Sequence, residues 1–259
     1  KDGGIRPIAI GNCLRRLTSK LACFQSRNIV NSYLSPHQPG VATKLGCEAA
    51  IHTTRTFVNN DQNRGKVLLK LDFKNAFNSV ERDCIRKEVQ CHTPLLYPYL
   101  YQCYRNPSTL FFGNHLISSS VGAQQGDPCG PMIFSLAIQP IILSLDSQMN
   151  IWYLDDGTLA DYPEVVLSDF KKVINLSQEI GLELNFNKCE IFCCSGDTDL
   201  KVIKEFQNLA PVENLLNKAE LLNRHVAYTL IKNCLFIPKF NFLLRTTPFW
   251  KFSNYVNSI

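Results

Sequence analysis

The stretch Ile151-Trp152-Tyr153-Leu154-Asp155-Asp156-Gly157-Thr158-Leu159 constrains the chain more than any other. Apolar and aromatic residues flank an Asp-Asp-Gly. Asp-Gly between two strand-like runs predicts a hairpin, because glycine accepts positive φ in a tight turn. Such a turn sets two carboxylates side by side at a hairpin tip. Adjacent acids repel unless a cation lies between them. At this point a divalent-metal site and an ordinary exposed turn, where Asp is frequent, both account for the pair.

The chain has 259 residues, 45% apolar and 19% charged, which suits a globular protein of one large domain or two or three subdomains. No run of 18 apolar residues occurs, so no transmembrane helix and no membrane partner is expected. Lys1-Asp2-Gly3-Gly4 carries neither a Met nor a signal-peptide run and reads as a piece of a longer polyprotein. Charge is uneven. Residues 1–70 hold 11 Lys/Arg against 3 Asp/Glu, and the remainder holds 16 against 19. A basic N-terminal part before a mildly acidic one suits a polyanion held against a metal-binding centre, or simply a solvated basic face. The 11 cysteines show no C-x-x-C spacing, and the one cluster, Cys189, Cys193 and Cys194, has no second half to complete a zinc site. Reduced thiols in an intracellular protein, nuclear or cytoplasmic and not secreted, are the expectation.

In chain order, Lys1–Ile10 reads as a turn and a strand flanked by Lys1 and Arg6. Leu14–Asn31 reads as an amphipathic helix with Leu14, Leu17, Leu21, Phe24 and Ile29 on its apolar face and a basic face elsewhere. A loop, Ser35–Gly40, and a second helix over Cys47–Asn60 follow. Lys66–Phe73 reads as a strand with Val67, Leu69, Leu71 and Phe73 on one face and Leu68, Lys70 and Asp72 on the other. Capping-box spacing between Asn78 and Glu81 predicts a helix from near Ser79 to Gln90. Thr109–Ile117 suggests a hairpin about Gly113-Asn114. Gly122–Pro131 packs three Gly, two Pro and two Gln into ten residues, a loop suited to close approach and base or sugar contacts. Met132–Leu145 reads as a buried helix kinked at Pro140, Val165–Ile180 as a helix ended by Gly181, and Leu182–Phe186 as a short strand before Lys188. Helices are expected over Lys201–Leu209 and Leu215–Cys234, then a break at Pro238 and a Phe-rich tail.

A strand-borne Asp72, a Gly/Gln loop with its helix, and an Asp-Asp hairpin can converge on one sheet. Three carboxylates so placed suit two Mg²⁺ ions about 4 Å apart, as used for in-line phosphoryl transfer. Leu71-Asp72-Phe73-Lys74-Asn75-Ala76-Phe77-Asn78-Ser79-Val80, then Gly122–Pro131, Tyr153-Leu154-Asp155-Asp156 and Gly181-Leu182-Glu183-Leu184-Asn185-Phe186-Asn187-Lys188, with Lys1-Asp2-Gly3-Gly4-Ile5-Arg6-Pro7-Ile8 before them, form an ordered set. The sequence thereby resembles the reverse transcriptase domain of non-LTR (LINE-type) retrotransposons over roughly residues 1–194.

The resemblance implies an α+β fold: the fingers and palm of a right-hand polymerase with an antiparallel palm sheet and a partial thumb. It assigns a fingers fragment to 1–66 and the palm to 67–200, with a return to the fingers around 84–117. The end of the palm and a shortened helical thumb would fill 201–259. It implies RNA-directed DNA synthesis from a DNA primer and dNTPs on a template RNA, with two Mg²⁺ ions for which Mn²⁺ can substitute. Asp72, Asp155 and Asp156, with the Phe73 carbonyl, would hold metal. Phe77 would exclude a 2′-hydroxyl, and Gln125 and Gly126 would line the nucleotide pocket. Lys1 and Arg6 would hold the triphosphate, and Lys188 would protonate pyrophosphate.

Two departures stand out. Leu154 replaces the family's usual Ala, and the primer-gripping hairpin with its Leu-Gly pair is absent near 214–222, as in a degraded or fragmentary copy. Rival readings are a group II intron maturase-like reverse transcriptase, a viral RNA polymerase, a catalytically dead nucleic-acid-binding remnant, and an unrelated metal-dependent phosphotransferase. Phe77 argues against the viral polymerase and the Gly122–Pro131 loop against the phosphotransferase; the gap near Asn214 favours the remnant and the intact acids disfavour it.

Overall fold

The computed structural model describes residue 9 and residues 11–194, 200–211 and 213–214. Lys1, Arg6, the Leu215–Cys234 helix and the Phe-rich tail lie outside the described residues. The N-terminal helices are α1 (Cys13–Leu34) and α2 (Gly46–Asn59). Strand β1 (Val67–Leu71) leads to α3 (Ala76–Ser79), α4 (Arg82–His92) and α5 (Tyr97–Tyr104). A hairpin of β2 (Ser108–Phe112) and β3 (His115–Ser119) precedes α6 (Gly130–Leu143). The hairpin β4 (Met149–Tyr153) and β5 (Asp156–Asp161) is followed by α7 (Pro163–Glu179), β6 (Glu190–Cys193), α8 (Leu200–Leu209) and β7 (Glu213–Asn214).

The main sheet runs β4-β5-β1-β6-β7, antiparallel throughout except for the parallel β6–β7 pair. β1 lies at its centre because its residues are apolar on both faces. Val67, Leu69 and Leu71 enter the large core beneath α4, α6 and α7, while Leu68 joins Phe57, Val58, Met149, Ala160 and Phe192 on the other face. Leu68, Leu69 and Leu71 are fully buried, each contributing roughly 1.5–3 kcal/mol. The all-round apolar α6 is buried along nearly its whole length, with Pro140 inside it. Asp169 of α7 pins the approach to β4. Its carboxylate accepts from the backbone N–H groups of Asp146 and Ser147 and from the Ser147 hydroxyl.

Three local expectations need correction. On α1 the Leu14, Leu17, Leu21 and Phe24 stripe faces outward, and the buried face carries Ser19, Ser26, Val30 and Leu34. Ser19 is drawn inward because its hydroxyl donates to the buried Asp127, and that outweighs the apolar pattern. No helix begins at Ser79. The short α3 ends there and α4 starts after Glu81, whose side chain makes no cap bond. Around 182–186 one isolated bridge, Phe73–Leu184, replaces the expected strand, and a 3₁₀ turn at Phe186–Lys188 leads into β6.

Candidate active site

The acids gather at one end of the sheet because of register. The last paired rung between β1 and β5 is Leu71–Gly157. Asp72 follows Leu71 and Asp156 precedes Gly157, so both flank that rung. Side chains alternate along a strand. Leu68 and Ala160 share the α2-covered face, so the alternation assigns Lys70, Asp72, Thr158 and Asp156 to the same face. Tyr153, paired with Asp156, belongs there too. Beyond α2 this face is uncovered enough to leave Asp72, Tyr153, Asp155 and Asp156 half-buried.

The turn is not the expected Asp-Gly. Tyr153 pairs with Asp156, so the two loop residues are Leu154 and Asp155, and Leu154 takes the positive φ, +61°. Positive φ at the first loop position is the pattern of a type II′ hairpin, where Gly is usual. A leucine there costs of order 1–3 kcal/mol. Asp155 therefore occupies the tip and Asp156 opens β5. Gly157 serves a different need: a Cβ there would lie 2.7 Å from the buried Trp152 ring. The Ser35–Gly40 loop braces the hairpin, since Trp152 N–H donates to the His37 carbonyl at 2.7 Å and a Cβ on Gly40 would crowd the Leu154 nitrogen at 3.1 Å.

Asp72 is held by its backbone. Its carbonyl accepts from Asn185 N–H at 2.7 Å, and Lys74 N–H donates to Glu183 at 2.8 Å. Phe73 turns into the core, its ring 6.1 Å from Trp152. Lys188 Nζ lies 3.5 Å from Asp72 Oδ2 on a largely exposed side chain. The neighbouring Cys189 thiol is pushed up to about 11, first by burial. Phe77, on α3, stacks on Phe134 of α6 with centroids 4.5 Å apart. The Phe77 carbonyl accepts from Ala123 N–H at 2.7 Å, tying it to the Gly122–Pro131 loop. In that loop Gln125 is half-buried, Gly126 is exposed with φ +103°, and the Gln125 carbonyl accepts from Ala9 N–H.

Sequence reading missed the groups that hold this loop. Arg82 is buried and donates to the carbonyls of Gly122 and Val121 and to Ser119 Oγ. Burial, the largest influence on it, lowers its guanidinium below the usual value. Asp127 is buried and accepts from Ser19 Oγ (2.8 Å), Tyr104 OH (2.9 Å), Cys129 N–H (3.0 Å) and Arg15 Nη2 (3.3 Å). Burial alone would lower the Arg15 guanidinium, but Cys103, Asp127 and Tyr104 outweigh it and raise it. Both guanidinium groups lie over the Tyr104 ring, Arg15 at 5.6 Å and Arg82 at 5.1 Å from its centroid. No sequence period marks a buried carboxylate in a Gly/Pro loop.

Residues 1–233 match the protein family described as reverse transcriptase (RNA-dependent DNA polymerase). This chain belongs to the reverse transcriptase family. Its fold is accordingly the fingers and palm of a right-hand polymerase; the partial thumb expected within 201–259 falls largely outside the described residues. The retrotransposable element SLACS 132 kDa protein of Trypanosoma brucei gambiense is 25% identical over 221 residues, covering 79% of this chain. The chain spans 18% of that relative's length. Among solved structures, telomerase from Candida albicans with a TWJ fragment of telomeric RNA aligns at a TM-score of 0.47 and 11% identity, over 69% of this chain and 34% of that one. Apo telomerase from Candida tropicalis aligns at 0.48 and 11%, over 70% and 36%.

Reverse transcriptases generally use divalent metal ions. The aspartate oxygens at this sheet end are hard donors of the right kind, and Lys188 beside Asp72 shows that the position accepts positive charge. Among the described residues no three His, Cys, Asp or Glu side chains form a ready-made metal cluster. The acids share a sheet end rather than a closed cage.

Proposed function

We propose that this chain extends the 3′-hydroxyl of a DNA primer with dNTPs on a template RNA, as the polymerase part of a longer protein from a LINE-type element. The observation that carries this reading is the flanking of the Leu71–Gly157 rung by Asp72 and Asp156, with Asp155 at the adjoining tip. Asp72, Asp155, Asp156 and the Phe73 carbonyl would hold two Mg²⁺ ions, or Mn²⁺ in their place. When bound, such ions lower the pKa of the attacking hydroxyl and neutralise the triphosphate.

The chain's own groups do the rest. Phe77, backed by Phe134, bounds the space for the sugar and disfavours a 2′-hydroxyl by volume. Gln125 and Gly126 line the nucleotide pocket, and Lys1 and Arg6 reach the triphosphate. Lys188 delivers a proton to the departing pyrophosphate, consistent with its exposed amine near Asp72. Residues 1–66 act as fingers, 67–200 as palm with a return to the fingers around 84–117, and 201–259 as the end of the palm and the start of the thumb. An intracellular site of action, in nucleus or cytoplasm, belongs to the same reading, since eleven cysteines without C-x-x-C spacing suit a reducing compartment. Among the described residues no helix is long and apolar enough to cross a membrane.

The test is dTTP incorporation on poly(rA)/oligo(dT) with Mg²⁺ or Mn²⁺, beside an Asp155→Ala/Asp156→Ala control. Incorporation that disappears in the control supports the reading. No incorporation, with salt-sensitive duplex binding retained, replaces it with a nucleic-acid-binding remnant.

A further inference from the structure

The Gly122–Pro131 loop contains a tight turn. Asp127 N–H donates to the Gln124 carbonyl at 3.1 Å, so Gln125 and Gly126 are its two central residues. Positive φ at Gly126 is the type II pattern, which favours glycine at the third position. Both ends of the turn are buried, Gln124 at 8% and Asp127 at 7% exposure, while the two central residues are more open. The Tyr104 hydroxyl joins the two ends. It donates to Asp127 Oδ2 at 2.9 Å and accepts from Gln124 N–H at 3.3 Å. Arg15 and Ser19 of α1 complete the carboxylate's shell, together with Cys129 N–H at the start of α6.

A buried carboxylate is costly, and four donors offset that cost only in one geometry. An apolar residue would pack here at no such cost but would not fix the turn's direction. We propose that Asp127 is the positioning residue of the nucleotide loop. Through Arg15, Ser19 and Tyr104 it fixes the Gln125–Gly126 turn against α1 and α5, and so sets the affinity for the incoming nucleotide. The nucleotide half of this proposal rests on the polymerase reading above. Burial chiefly, and the Asp127 charge next, push the Tyr104 phenol well above its usual range. It therefore stays a donor at any working pH.

The test compares Asp127→Asn and Tyr104→Phe with the wild type by two readouts. In primer extension on poly(rA)/oligo(dT), Asp127→Asn raises KM for dTTP about tenfold with kcat changed less than about twofold, and Tyr104→Phe raises it about threefold. A role confined to stability would not give this split. In hydrogen–deuterium exchange, peptides spanning 120–131 lose protection in both variants, while peptides covering β1 and β4 keep theirs. If Asp127→Asn unfolds throughout, Tyr104→Phe, which removes one hydroxyl, carries the comparison. Unchanged loop protection in the folded variants overturns the proposal, as does an unchanged KM in an active enzyme. A wild type that incorporates nothing removes the polymerase reading and the nucleotide half with it, whereas exchange alone decides whether Asp127 holds the loop.

Discussion

Asp72 and Asp127 are the same side chain used in opposite ways. Asp72 is 20% exposed at the side chain and meets Lys188 at 3.5 Å on a flexible, solvent-facing amine. Asp127 is 3% exposed at the side chain, and its carboxylate accepts from Arg15, Ser19, Tyr104 and Cys129. The first is positioned by backbone bonds of β1 and residues 183–185, leaving its carboxylate available to an incoming cation. The second spends its carboxylate on the architecture. The difference teaches that a carboxylate stays open to solvent where the backbone does the holding, and does the holding itself where the backbone is an irregular loop.

The largest expected effect separates the two acids by activity and stability. Asp72→Ala or Asp155→Ala is expected to cut dTTP incorporation by about 10³-fold or more. Asp72→Ala should cost less than about 1 kcal/mol of stability, as an ion pair whose amine is largely solvent-exposed contributes little. Asp127→Ala strands two hydroxyls, a guanidinium and a backbone N–H, and should cost about 3 kcal/mol. Urea titrations measure both. Equal losses of stability would erase the distinction.

The next effect concerns Phe77, which stands between the two sites. Its carbonyl is bound by the loop through Ala123 and its ring rests on Phe134. Phe77→Ala is expected to reduce discrimination of dTTP over UTP by about 10²-fold, the scale on which a shaped pocket rejects extra atoms. Competition assays on the same primer give the ratio. An unaltered ratio would remove Phe77 from the nucleotide pocket.

Much of the palm was legible in the sequence. Period-two burial of Val67, Leu69, Leu71 and Phe73 placed Asp72 on the opposite face, and helix ends near Asn59 and Gly181 followed from turn residues. The errors fall where a tertiary contact overrides local pattern. The Leu14/Leu17/Leu21/Phe24 stripe looked like a core face, yet α1 packs through Ser19 and Ser26, because Ser19 is wanted by Asp127. Asp155-Asp156-Gly157 looked like the turn, yet Gly157 is required by the Trp152 ring and the turn moves back to Leu154-Asp155. Arg82 and Tyr104 gave no signal, since both act by reaching a loop distant in sequence.

Gly157 offers a smaller test of the same principle. A methyl group at this position would stand 2.7 Å from Trp152, whose ring is buried and whose Nε1–H donates to Asn150 at 2.8 Å. Gly157→Ala is expected to cost about 1–3 kcal/mol by overpacking. It should also shift the tryptophan emission and displace the Leu154–Asp155 tip. Gly113→Ala, at an exposed hairpin turn with open space about it, should leave the emission unchanged. Equal spectra for the two variants would mean that the ring does not set the hairpin.

A further effect is a pH dependence on the Asp72 side. Cys189 is buried beside the Asp72 backbone, and burial chiefly raises its thiol from an ordinary 9.0 to about 11. An unfolded chain therefore releases this proton above pH 9 while the folded chain retains it. The folded state then binds more protons, so stability falls as pH rises. The contribution is fully present below pH 9 and is lost through about pH 11, roughly 2–3 kcal/mol in all. Cys84, raised to about 11 mainly by burial, adds to the same limb from α4. Cys189→Ala should thus flatten the fall of stability between pH 9 and 11 without abolishing it, read as the slope of the urea midpoint against pH. The slope is the informative quantity, because the cavity left by the missing sulfur lowers stability equally at every pH. An unaltered slope would show that the thiol ionises as readily folded as unfolded. The packing beside Asp72 would then be open to water, and the contrast with the sealed carboxylate of Asp127 would widen.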